Sequence, residues 1–167
     1  INSETILFGP TLKGNDKLKY VIGVDPASEV DKFSIIVLEL HFNHVRIVYC
    51  WTTDKKEYRE KYNAGLVKES EFYGYCARKI RNLIKAFPCE RIAMDSQGGG
   101  YHVLECLHDK DKIEQNELPI WPVINPEKPA DTDGEAGLHL VELINFADAK
   151  WVETANHGLK KDFLDKV

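Results

Sequence analysis

Methionine is almost missing from this chain: Met94 is the single one in 167 residues, and the first residue is Ile1. That start, together with an end at Lys166-Val167 inside a helical-looking run without a stop signal, leads to the expectation of a domain cut from a longer polypeptide. Long apolar runs are missing as well. The longest, such as Ile35 to Leu40, fall far short of the roughly 18–20 residues that span a bilayer. No basic-then-apolar signal segment opens the chain, so a soluble protein is expected. Positive charge is in deficit, with 22 Lys+Arg against 27 Asp+Glu, a net charge of −5 and a pI near 5.7. This argues against an open, non-specific nucleic-acid-coating surface, which needs clustered Lys and Arg, but not against an enzyme that gathers its acids around a metal. Cysteine is sparse and unpaired in spacing: Cys50, Cys76, Cys89 and Cys106 show no C-x-x-C, which favours free core thiols in a reducing compartment over disulfides or a zinc site.

There is no internal repeat, no Gly/Ser linker, and no G-x-x-x-x-G-K-[ST] phosphate loop. What is present is ample core material, 43% hydrophobic and 10% aromatic, in a length that suits one domain. Disordered and low-complexity classes are excluded.

Residues 1–19 mix polar, Gly and Pro residues without a period and read as an entry segment or linker, with the compact domain occupying 20–167. Tyr20-Val21-Ile22-Gly23-Val24 is a β-rich run that stops at Asp25-Pro26, where proline has no N–H to continue a ladder. Residues 33–40 and 44–53 form two further strands, and the short polar connection between them predicts an antiparallel hairpin. The charged stretch 54–68 reads as an exposed loop or short helix. From Glu69 to Phe87 the period becomes helical: Phe72, Cys76, Ile80, Leu83, Ile84 and Phe87 share one side, and Arg78, Arg81 and Lys85 the other. A short strand, 91–95, then a glycine turn and a helix over 101–108 follow. A strand at 118–124, broken by Pro119 and Pro122, belongs at a sheet edge. Residues 125–137 read as loop, and Leu138 to Trp151 as helix. A right-handed crossover through the 69–87 helix would lay the strands ending at Val24 and Met94 parallel, with their ends at one sheet edge.

Two acids stand out because each directly follows an apolar strand: Asp25 in YVIGVDPAS and Asp95 in ERIAMDSQGGG. Carboxylates at the carboxyl ends of buried strands are rigidly held where open α/β sheets bind ligands. Two of them facing one another need a shared proton or a divalent cation. Oxygen donors without neighbouring thiols or His spacing favour Mg²⁺ or Mn²⁺. The bland alternative for each is a turn or N-cap aspartate. Gly98-Gly99-Gly100 beside Asp95 would let backbone approach a ligand, or merely form a flexible turn.

The strand and helix order, with one acid in V-G-V-D-P-A and a second in A-M-D-S-Q-G-G-G, resembles the RNase H-like fold: a mixed α/β sheet, its three N-terminal strands antiparallel and later ones parallel, flanked by helices. More narrowly, with DKFSIIVLEL, RIVYCWTT, GLHLVELINFADAKWVETANHGL and KKDFLDKV, the chain is similar over most of 20–167 to the C-terminal nuclease domain of the large terminase subunit of tailed bacteriophages. That resemblance implies a metal-dependent endonuclease cutting concatemeric double-stranded DNA during genome packaging in the host cytoplasm. It implies two divalent ions, Mg²⁺ or Mn²⁺, with Asp25 and Asp95 as metal-binding and catalytic positions. It implies as partners DNA, an upstream ATPase motor domain of the same polypeptide, the portal and the small terminase subunit, and no membrane.

The family's further C-terminal acid has no convincing match, since Asp162 and Asp165 in KKDFLDKV read as a solvated helix face. Weak metal binding and poor cleavage by this chain are therefore expected. Other readings are a different RNase H-like nuclease (a Holliday-junction resolvase or transposase core), an actin-like ATPase lobe, which Pro26 and the short length disfavour, and a DNA-docking module with a degenerate site. Candidate DNA contacts are the stripe Arg78, Arg81 and Lys85 and the basic stretch Lys55, Lys56, Arg59 and Lys61, each set against a solvated face, the latter balanced by Glu57 and Glu60. Tyr58, Tyr62, Tyr73 and Tyr75 read as packing or rim residues, and His102 and His108 as helix-surface residues just beyond the Asp95 turn.

Overall fold

The computed structural model describes residues 10–26, 31–124 and 136–157, with 146, 151 and 155 excepted. Three consecutive strands open it: β1 (Lys19–Asp25), β2 (Phe33–Leu40) and β3 (Val45–Thr53). The β2–β3 hairpin closes through the His41 N–H to the His44 carbonyl, 3.0 Å. Helices α1 (Lys55–Asn63) and α2 (Phe72–Ala86) lead into β4 (Cys89–Asp95), and α3 (Gly100–His108) follows it. A single 3₁₀ turn, a short β5 (Ile120–Pro122) and β6 (Leu138–Ile144) follow, and the described residues between 149 and 157 are helical.

The six strands make one sheet in the order β3-β2-β1-β4-β6-β5. β2 is antiparallel to both β1 and β3, whereas β1, β4, β6 and β5 run parallel in turn. This is an α/β fold with a mixed sheet flanked by helices, consistent with the RNase H-like arrangement. The expected parallel pairing through the α2 crossover is present, with Val24 opposite Met94. β5 lies at the sheet edge, where a strand ending in Pro122 loses no ladder bond.

One strand was not legible as such. Leu138–Trp151 reads helical from the spacing of Leu140, Val141, Ile144 and Phe146, yet Leu138–Ile144 is strand β6, inserted between β4 and β5. A short apolar run fits either period, and hydrogen bonding to strands on both sides decides for extended geometry. A register shift at Trp121/Pro122 in this pairing blurs the strand alternation further.

The core lies on one face of the sheet. Tyr20, Ile22 and Val24 of β1, Phe33, Ile35 and Val37 of β2, and Ile92 and Met94 of β4 are all buried by period-2 alternation. Against them α2 buries Phe72, Cys76, Ile80 and Leu83, the stripe its spacing predicts, and α3 buries Val103 and Leu107. Residues 10–18 are tied down by the Thr11 N–H to the Val48 carbonyl, 2.9 Å, and the Gly14 N–H to the Ala86 carbonyl, 2.8 Å. All four cysteines are free, but only Cys76 and Cys106 are core thiols; Cys89 is half-buried and Cys50 exposed, because it falls on the other face of β3. No helix of the described residues is long and apolar enough to cross a membrane.

Candidate functional site

Both sequence-derived acids end a central parallel strand. Val24 and Met94 are register partners and point into the core, so Asp25 and Asp95, one residue on, sit side by side at the carboxyl edge on the opposite face. Adjacent strands are about 4.8 Å apart, which brings the two carboxylates within mutual influence. The consequence is visible in Asp25. Partial loss of hydration at the sheet end, then the negative charges of Asp95 and Asp31, raise its pKa above the ordinary aspartate value. Asp25 remains exposed as a residue, so water and ligands reach it.

Asp31 was missed by sequence reasoning. It stands in the return from β1 to β2, and the pairing of Asp25 with Ser34 carries that return back across the end of β1. The legible signal was an acid two residues before an antiparallel strand, which topology must bring near the acid ending the preceding strand.

The turn after Asp95 is built by its sequence. The Asp95 carboxylate accepts the Gln97 N–H at 3.0 Å, so the turn-capping role is real. Gly98 and Gly99 have φ of 64° and 130°, and a Cβ on Gly100 would lie 2.0 Å from the Asp95 carbonyl oxygen. The triple glycine thus serves a turn folded back on Asp95, starting α3 beside Pro26. The end of β6 is stitched on by the Ser96 N–H to the Ile144 carbonyl, 2.8 Å, and by Gln97 Nε2 to Asn145 Oδ1, 3.3 Å.

The donor set at this edge is carboxylate oxygen, which suits a hard divalent cation. Among the described residues no three His, Cys, Asp or Glu side chains come together as a ligand cluster, so Asp25 and Asp95 form a pair rather than a complete cage. Asp162 and Asp165 lie outside the described residues.

The two basic features part company. Arg78, Arg81 and Lys85 are not a solvated stripe. Arg78 meets Glu117 at 2.8 Å and Lys85 meets it at 2.6 Å, while Arg81, 4% exposed, donates to the carbonyls of Leu107 and Leu118. Burial alone would raise the Glu117 carboxyl, but hydrogen bonds from Lys85, Arg78 and the Glu114 N–H overcome this and hold its pKa at about 2. On α1, Glu57 pairs with Lys61 at 2.6 Å and accepts from Thr53 at 3.3 Å, and no ion pair joins it to Lys56 or Arg59 among the described residues.

Of the tyrosines, Tyr58 packs on Phe72 and on Tyr75 in an aromatic cluster, and Tyr62 lies at its edge. Tyr73 differs: its hydroxyl donates to the Gly98 carbonyl at 3.4 Å, its ring stacks on the exposed His102 at 5.5 Å, and Lys55 Nζ lies 5.9 Å from its centroid. His108 sits at the far end of α3, stacked on Trp121 at 4.1 Å, away from the acids.

No protein-family model matches the chain, and no curated protein matches it either. Among solved structures, the large terminase from a thermophilic bacteriophage is similar over 59% of this chain and 23% of that one, with 14% identity and a TM-score of 0.35. The chain spans less than a quarter of that protein's length.

Proposed function

We propose that the chain is the nuclease domain of a DNA-packaging terminase, a metal-dependent endonuclease that cuts concatemeric double-stranded DNA in the host cytoplasm. Its partners would be an upstream ATPase motor domain, the portal and the small subunit. The observation that carries this reading is the adjacency of Asp25 and Asp95 at the carboxyl edge of parallel strands β1 and β4. The phage-terminase resemblance of the segments around them narrows it to packaging.

Asp25 and Asp95 would hold the Mg²⁺ or Mn²⁺ ions through carboxylate oxygen, with water and a phosphate oxygen completing the shell. Bound there, a pair of ions supplies an activated water and charge stabilisation for phosphodiester hydrolysis. The chain's own share is positional. Strands β1 and β4 fix the carboxylate spacing, the Gln97 N–H orients Asp95, and a cation would offset the lost hydration and the Asp95 and Asp31 charges that raise the proton affinity of Asp25.

Calorimetric titration with Mn²⁺ tests this together with plasmid nicking. Saturable, weak binding and slow Mn²⁺-dependent nicking are expected, both lost in Asp25→Asn and Asp95→Asn. Robust cleavage that survives both substitutions would refute the site.

A further inference from the structure

We propose that the exposed basic face of α1, carried by Lys56 and Arg59 and continued at the rim by Lys55, Tyr73 and His102, is the surface that holds the backbone of double-stranded DNA beside the acid pair. The inference rests on the nuclease reading and says which surface of this domain meets the substrate.

Topology places this face. Because β2 is antiparallel to both neighbours, β3 ends at the same edge as β1; Thr53 pairs with Phe33, and Asp25 with Ser34. Thr53 therefore lies about two strand spacings, roughly 10 Å, from Asp25. α1 starts two residues later, capped by Asp54, whose carboxylate accepts the Glu57 N–H at 2.8 Å. Lys56 and Arg59, three apart on this helix, share one face and are exposed. A strand with one phosphate at the acids advances about 3.4 Å per nucleotide, so phosphates three to five along reach the start of α1.

Charge selects the same face. The other basic cluster, on α2, is consumed by Glu114 and Glu117. On α1 the acid one turn from Lys61 is taken by Lys61 itself, whereas Lys56 and Arg59 form no ion pair among the described residues, Glu60 included. Between α1 and the glycine turn, Tyr73 forms a bridge. Lys55 lies over its ring, His102 stacks on it, and its hydroxyl reaches Gly98, three residues past Asp95. An acid pair repels phosphate, and the cations of Lys56 and Arg59, on the helix that starts two residues after Thr53, supply the compensating attraction for a polyanion.

The test measures anisotropy of a fluorescent 20-base-pair duplex with the 167-residue chain in EDTA, across a salt series. Lys56→Ala with Arg59→Ala should weaken binding about tenfold near 50 mM salt and flatten the log K against log salt slope by about 1.8, two lost phosphate contacts. The charge-matched control Lys13→Ala with Lys17→Ala, in the exposed entry segment before β1, should change affinity less than twofold. Equal losses in the two double variants, no loss in the first, no duplex binding by the unaltered chain, or equal competition by polyglutamate would each overturn the inference. Mn²⁺ titration of the same α1 variant keeps the outcomes apart: retained metal binding with unchanged DNA affinity defeats this surface alone, whereas absent metal binding in the unaltered chain defeats the nuclease reading.

Discussion

Asp25 is held in a position that disfavours its own charge. Its pKa is raised by lost hydration and by the neighbouring Asp95 and Asp31, so the folded state binds a proton there more tightly than the unfolded chain does. An acid of this kind supports folding below its unfolded value near 3.8, and that support is lost as pH rises through the higher folded value. Replacing it should therefore help where the carboxylate is ionised. Asp25→Asn is expected to raise the metal-free melting temperature at pH 7 and to leave it nearly unchanged at pH 3.5. Added Mn²⁺ should then raise the melting temperature of the unaltered chain but not of the variant, by linkage of binding to the folded state. Differential scanning fluorimetry at the two pH values, with and without metal, reads both signs; a lower melting temperature for the variant at pH 7 in EDTA would contradict the repulsion. At this scale the acids themselves were legible, because an apolar run ended by Asp-Pro or Asp-Ser-Gln-Gly marks the end of a strand. Asp31 was missed: its place two residues before β2 is visible in the chain, but its effect on Asp25 depends on where the β1–β2 return folds back.

At the scale of elements, α2 shows how a helix face acquires its meaning from what packs on it. Its apolar side was readable from 3.6-residue spacing and is buried as expected. Its basic side was not, because Glu114 and Glu117 lie some thirty to forty residues away in sequence and reach it through the segment between α3 and β5. Glu117 is the hub, 6% exposed as a side chain and held by Arg78 and Lys85. Glu117→Gln removes the carboxylate shared by Arg78, Lys85 and the buried Arg81, leaving Arg78 only its longer carboxylate contacts to Glu69 at 3.5 Å and Glu114 at 3.4 Å. We expect a loss of about 2 kcal/mol, less than the 3–5 typical of a fully buried pair because the Lys85 arm is half-exposed and screened. The sign with pH is opposite to that of Asp25. The depressed carboxyl contributes fully above its unfolded value of 4.5, and the contribution is lost as pH falls through about 2. Urea unfolding at pH 7 and at pH 2 checks this: the two proteins should differ at pH 7 and converge in acid.

At the scale of the molecule, everything that positions the acids passes through one apolar layer. β1 is central in the sheet, hydrogen-bonded to β2 on one side and β4 on the other, and its Ile22 is fully buried under the helices. Ile22→Ala should cost about 2–5 kcal/mol, a large part of the 5–15 kcal/mol that stabilises a typical domain. The midpoint in urea should fall with an unchanged slope, and Mn²⁺ affinity of the molecules that remain folded should stay within a factor of two or so, since the register of β1 with β4 is set by several other pairs. A collapse of metal binding without loss of stability would mean that the core residue acts on the site directly.

The amino-acid sequence by itself determined where strands end and helices bury a stripe, because those features come from local backbone limits and from side-chain period. It thereby placed Asp25 and Asp95 at strand ends, Pro122 in a weak strand, and Phe72, Cys76, Ile80 and Leu83 in a core. Only the tertiary structure decided that 138–144 is a strand and that Glu117 neutralises the α2 stripe. It also decided that α1 keeps Lys56 and Arg59 clear of ion pairs among the described residues, at the acid edge. Each of these depends on which distant segment supplies the hydrogen bond or countercharge, and no local period in the chain encodes that choice.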